Sequence, residues 1–137
     1  MRYTLLESRR NEVLLLARLL LMVLFVLFGW SKLTDFAGTT AYMASEGLPL
    51  PALAAVVVIA MEFVVGLAIM LGVCTRPLAL LMALYTLGTA LVGHHFWTMV
   101  GAERAANMIN FYKNLSIVGG LLLLCLTGPG KYSLDRR

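Results

Sequence analysis

The chain has 137 residues, of which 61% are apolar or aromatic and 13% charged; 11 Lys and Arg stand against 7 Asp and Glu, for a net charge of +4. Soluble domains carry about 25% charged residues, so this chain has too little polar surface to coat a water-soluble globule. A soluble domain, a disordered chain and a nucleic-acid-binding module are therefore excluded.

Four apolar stretches follow one another, at roughly Val13 to Ser31, Ala52 to Cys74, Pro77 to Trp97 and Asn107 to Leu126. A helix of about 20 residues, rising ~1.5 Å per residue, crosses a hydrocarbon layer ~30 Å thick. The expected fold is an all-α membrane protein: a four-transmembrane-helix antiparallel bundle, in a single membrane domain over residues 1–137. In the first stretch Arg18 interrupts the apolar run and no small-x-small site follows. It reads as a retained helix with an interfacial Trp30 rather than a cleaved signal peptide.

The segment from Asp35 to Pro51 carries Phe36, Tyr42 and Met43, then Gly47, Pro49 and Pro51. That pattern predicts a short interfacial helix capping one end of the bundle between the first and second spans. Cys74, Thr75, Arg76 and Pro77 make a tight hairpin, with Pro in the first turn of the next helix. A short polar connection around Gly101 to Ala106 joins the last two spans. Arg2, Arg9, Arg10, Arg76, Lys131, Arg136 and Arg137 fall on the side of both tails, against Lys32 and Arg104 on the other. The excess places both termini in the cytoplasm.

Function is sought in polar residues inside the spans, because each costs free energy and none is needed to cross a bilayer. Glu62 falls near the middle of the second span, where an ionised carboxylate must be protonated, paired or wetted. Arg18 is its expected partner on depth grounds. Helical periodicity places Arg18, Phe25, Gly29 and Lys32 on one stripe of the first helix, and Ala55, Gly66 and Ile69 on the face of Glu62. Both faces should look into the bundle.

The fourth span adds Asn107, Asn110, Lys113 and Asn114 at its outer end, and the third adds Thr86, Thr89, Gly93, His94, His95 and Trp97. Arg18, Glu62 and Lys113 thus form the expected buried charge network, with Lys32, His94, His95, Trp97, Asn110 and Asn114 as candidate ligand-binding residues. Each group has a plainer alternative. The charges can simply lock helix register, the His pair can be a polar cap, Trp30 and Trp97 can be belt residues, and the Asn ladder can hold helices together.

No metal site is expected: adjacent His residues on a helix point about 100° apart and do not easily grip one ion. Bis-imidazole haem would want His on two helices. Cys74 and Cys125 lie at the tail-side ends of spans without a C-x-x-C, which disfavours dithiol chemistry. Any cofactor is therefore expected to be lipid-soluble or absent.

The order Arg18, Phe28-Gly29-x-x-Lys32-Leu33, Phe36-Ala-Gly-Thr, Gly47-Leu-Pro, Glu62 with Gly66, Leu71-Gly72, Thr75-Arg76, Asn110-Phe-x-Lys113-Asn114 and Ser133-Leu-Asp135 resembles the DoxX family of bacterial inner-membrane proteins. Through Tyr85-Thr-Leu-Gly-Thr, Gly93-His-His and Thr127-Gly-Pro-Gly the chain is similar to its YphA-type members in particular. The resemblance covers nearly the whole chain. It implies a four-helix membrane bundle with Arg18, Glu62 and Lys113 as its charged positions, and a link to quinones, thiol stress and redox complexes of the membrane.

The leading expectation is a polar intramembrane pocket binding a quinone-like redox molecule within a redox or detoxification system. Such a quinone is the one cofactor indicated. If a reaction is catalysed, the resemblance makes the chain a subunit of a quinone-linked oxidoreductase. Its partners would be the bilayer, redox-complex proteins and further copies of itself. Two other classes stay open: a noncatalytic scaffold or assembly subunit whose buried charges are structural, and a small oligomeric transporter.

Overall fold

The computed structural model describes residues 4–135, and every regular element among them is helical. Helix α1 spans Arg10–Thr34 and is followed after one residue by α2, Phe36–Ser45. Helix α3, Pro51–Leu71, returns to the tail side, α4 spans Thr75–Gly93, and α5 spans Gly101–Thr127. With short extensions of α1 and α4, these give four helices long and apolar enough to cross a membrane. Arg2, Arg136 and Arg137, which count toward the orientation, lie outside the described residues.

The helix ends follow from local chemistry. Asp35 breaks α1 and caps α2, its carboxylate accepting from the Gly38 amide at 3.1 Å, as an N-cap residue does. The Thr39 hydroxyl donates to the Lys32 carbonyl at 3.1 Å and ties α2 to the last turn of α1. Pro51 opens α3 in its first turn. Helix α3 ends at Leu71, three residues before the expected Cys74, because Gly72 at φ +80° follows it and a left-handed glycine stops a helix. Helix α5 begins six residues before the expected Asn107, since Ala102, Ala105 and Ala106 sustain helix through the polar turn.

Helix α1 packs along α3, and α4 along α5, so sequential neighbours form two antiparallel pairs that meet through α1 with α5 and α3 with α4. The core joins Met22 and Phe25 of α1, Ile69 of α3, Met82 of α4 and Leu121 of α5, all buried. The predicted stripes do face inward: Arg18, Met22, Phe25 and Gly29 are the buried residues of α1, and Ala55, Ile59, Glu62, Gly66 and Ile69 those of α3.

The tail end of the bundle is closed by residues after α5. The Leu134 and Asp135 amides donate to the Leu71 and Gly72 carbonyls at 3.1 and 3.0 Å, and the Lys131 amide to Asn11 Oδ1 at 2.9 Å. The opposite end carries α2 and a cluster of Phe96, Trp97, Phe111 and Tyr112, with ring centroids 5.4 to 6.0 Å apart.

Candidate functional site

Residues Ala60–Val65 of α3 form one stretch of π-helix, with Glu62 inside it. Such a stretch bulges one residue out of the regular ladder and turns its side chains onto a new bearing. Gly29 of α1 packs on this stretch, backbone to backbone: a β-carbon there would stand 2.6 Å from Phe63 N. Only a residue without a side chain permits so close an approach.

This contact decides which cation Glu62 meets. Gly29 is level with Glu62, so Lys32 lies about 4.5 Å away along the helix axis and Arg18 about 16 Å away, at ~1.5 Å per residue. Lys32 Nζ donates to Glu62 Oε2 at 2.5 Å. Tyr85 of α4 donates its hydroxyl to Glu62 Oε1 at 2.8 Å. The carboxylate thus holds one cation and one phenol from two different helices.

The expected Arg18–Glu62 pair is corrected accordingly. Arg18 is 1% exposed and gives its donors to three carbonyls: Met70 at 3.1 Å, Pro129 at 2.5 Å and Tyr132 at 2.5 Å. Helix depths counted from sequence assume that all helices begin at one plane, and α1 and α3 do not. Lys113 does not join Glu62 either. It is exposed, and its Nζ donates to Asn110 Oδ1 one turn back, at 3.2 Å. The three charges form no single network.

Above the Lys32–Glu62–Tyr85 group a cavity of about 780 Å³ opens between the two helix pairs on the α2 side. Its walls are mostly apolar, with Leu24, Phe25 and Phe28 of α1 and Leu53, Val57 and Val58 of α3. Polar groups reach it from α4 and α5: Thr86, Thr89, Asn110, Lys113 and Asn114, with His94 just beyond the end of α4. Asn114 is buried and donates to Thr89 Oγ1 at 3.3 Å, joining α5 to α4. His94 Nδ1 is 3.0 Å from Asn107 Oδ1.

Four of the six candidate ligand-binding residues therefore line one cavity: Lys32, His94, Asn110 and Asn114. The other two stand outside its lining. Trp97 is stacked edge-on against Phe96 and Phe111. His95 points to Glu46, with Nε2 3.4 Å from Oε2, and to the Thr98 hydroxyl at 2.6 Å.

Tyr85, Glu46 and Tyr42 line the cavity and are not among the site residues expected from the sequence. Tyr85 had a signal, since Thr86 and Thr89 follow on the inward side of the same helix. Tyr42 lies on α2 and Glu46 is its C-cap, in the segment between spans that helical phase along the spans does not reach. Burial, with the Glu46 carboxylate adding to it, pushes the Tyr42 phenol above its ordinary value. Among the described residues no group of three or more His, Cys, Asp or Glu side chains could hold a metal ion.

The DoxX family profile matches residues 13–95, more than half of the chain. The chain belongs to the DoxX family. It is 50% identical to inner membrane protein YphA of Escherichia coli K12 over 137 residues, covering 100% of this chain and 98% of that one. It is 46% identical to inner membrane protein YqjF of the same organism over 125 residues, covering 89% and 88% of the two chains. No solved structure matches it. This DoxX protein, with its four apolar helices, is an integral membrane protein.

Several of the residues that carry the DoxX resemblance have structural work at the tail end. Arg76 of the Thr75-Arg76 pair reaches the last turn of α5, donating to the Leu126 carbonyl at 2.7 Å, where a helix has unpaired carbonyls and favours a cation. Gly128 and Gly130 adopt φ +75° and +78°, which lets the chain turn beneath the bundle to meet Arg18.

Proposed function

We propose that this protein binds a lipophilic quinone-like molecule in the cavity between its helix pairs, as an inner-membrane component of a redox or detoxification system. The observation that carries this reading is the cavity itself. At about 780 Å³ it falls within the ~300 to 1,000 Å³ of small-molecule sites, and it combines apolar walls with a few convergent donors.

A quinone head needs hydrogen-bond donors for its carbonyls and an aromatic face beside it. Lys113 and the Asn110 amide supply the donors, while His94, whose Nδ1 donates to Asn107 Oδ1, turns an accepting nitrogen to the site. The aromatic side chains in the lining are Phe25, Phe28, Tyr42 and Tyr85, which take the place expected for Trp97. Glu62, held between Lys32 and Tyr85, is the acid that would exchange protons with a bound head. Both termini are assigned to the cytoplasm by the cation excess on the tail side, and α2 to the opposite interface.

The reading is tested by purifying the protein gently into nanodiscs from native membranes and extracting it for mass spectrometry, beside an Asn110→Ala, Lys113→Ala variant. Stoichiometric quinone in the wild type, lost in the variant, is the expected result. Bulk phospholipid alone in both samples would overturn it.

One observation favours a second reading, a noncatalytic assembly subunit. Glu62 is satisfied entirely within the chain, and such a pair can serve helix register alone. On that reading, a folded Glu62→Gln protein keeps its cellular function.

A further inference from the structure

The charges lining the cavity are unequally provided for. Glu62 is held by Lys32 and Tyr85, and Glu46 faces His95 at 3.4 Å. Lys113 lies at residue 13 of the 27-residue helix α5, well inside a spanning segment. Among the described residues no carboxylate stands within salt-bridge distance of it. A cation at such a position is costly unless paired.

The neighbour it does have sharpens the point. Asn110 turns its amide oxygen to Lys113 Nζ at 3.2 Å, and its amide nitrogen donates to nothing else among the described residues. One turn of α5 thus offers the cavity an ammonium and an amide N–H₂, with its one acceptor already used. A patch that only donates, and carries a positive charge, is complementary to an anionic oxygen.

We propose that the cavity selects lipophilic weak acids: ligands with an apolar body along Leu24, Leu53 and Val57 and an anionic oxygen at Lys113 and Asn110. The inference deepens the reading of this cavity as a ligand site and rests on it. The shared chemistry is an ionised oxygen on an apolar frame, and an acidic hydroxyquinone and a long-chain carboxylate both possess it. A charge-assisted contact of this kind is roughly twice as strong as a neutral one, so removing the charge from either ligand costs affinity.

The test uses the full chain in nanodiscs of neutral phospholipid, with empty nanodiscs as the partition control. Binding is measured for an alkyl hydroxynaphthoquinone, ionised at neutral pH, and its methyl ether, and for hexadecanoate and its methyl ester. The wild type is expected to prefer each anion over its neutral derivative by on the order of tenfold. Lys113→Met should lose the preference while still binding the neutral ligands, and Lys113→Arg, which preserves the charge if Met disturbs folding, should keep it.

Equal binding of acid and ether, or a preference that survives in Lys113→Met, would overturn the inference and leave the quinone reading standing. Lys113-dependent preference for hexadecanoate, with neither naphthoquinone bound, would support it and remove the quinone. Binding of none of the four would overturn both.

Discussion

Gly29 and Glu62 meet through their backbones: a β-carbon at Gly29 would lie 2.9 Å from the Glu62 carbonyl carbon. Helix α1 can thus approach α3 at the π-helical stretch, three residues before Lys32 reaches the same carboxylate. Gly29→Ala forces the helices apart at the level of the ion pair. Overpacking of this kind costs about 1 to 3 kcal/mol, read as a lower unfolding midpoint. Gly119→Ala is the control, since a β-carbon there meets nothing within 4 Å; it should leave the midpoint unchanged or raise it. Equal effects at the two glycines would contradict the close contact.

The Lys32–Glu62 pair should behave as a buried couple. Lys32→Met alone leaves Glu62 with only the Tyr85 hydroxyl; losing one partner of a fully buried pair costs roughly 3 to 5 kcal/mol, and with the Lys32 side chain 31% exposed the cost is expected below that range. Lys32→Met with Glu62→Leu removes both charges and should recover most of that loss. A double-mutant cycle on unfolding free energy measures the coupling. A double variant as unstable as the sum of its singles would show the two residues to be independent.

Arg18 should govern the segment after α5 rather than the cavity. Arg18→Met withdraws the donors from the Met70, Pro129 and Tyr132 carbonyls, and hydrogen bonds to a charged group contribute roughly 1.5 to 3 kcal/mol. Amide exchange at Leu134 and Asp135, which pair with Leu71 and Gly72, is expected to accelerate by at least tenfold, about 1.4 kcal/mol. Exchange rates equal to wild type would remove Arg18 from this role. Cavity ligands should bind as before, which separates Arg18 from Glu62.

Much of the architecture is written in the sequence in a form that periodicity recovers. The spans, their inward stripes and the hairpin at Arg76 follow from apolar runs and a few Gly and Pro positions. The partner of Glu62 does not, because axial level is set by how far one helix slides along another. That offset depends on Gly29 meeting a π-helical stretch which no Gly or Pro announces. Trp97 and His95 were misplaced for a related reason. Helix α4 ends at Gly93, and the following turn swings both away from the cavity. Thr86 and Thr89 of α4 and Asn110, Lys113 and Asn114 of α5 are legible, since they need only helical phase; Tyr85 beside them is not.

Arg18 and its carbonyl partners are far apart in time as well as in sequence. Pro129 and Tyr132 follow Arg18 by 111 and 114 residues, so a ribosome makes the guanidinium long before it makes two of the three carbonyls that accept from it. At synthesis rates of about 5 to 20 residues per second, the first helix waits several seconds with a charge that apolar surroundings oppose. Residues made late therefore complete a helix made early. A chain that stops short of Pro129 would expose that deficit to the membrane's quality-control proteases.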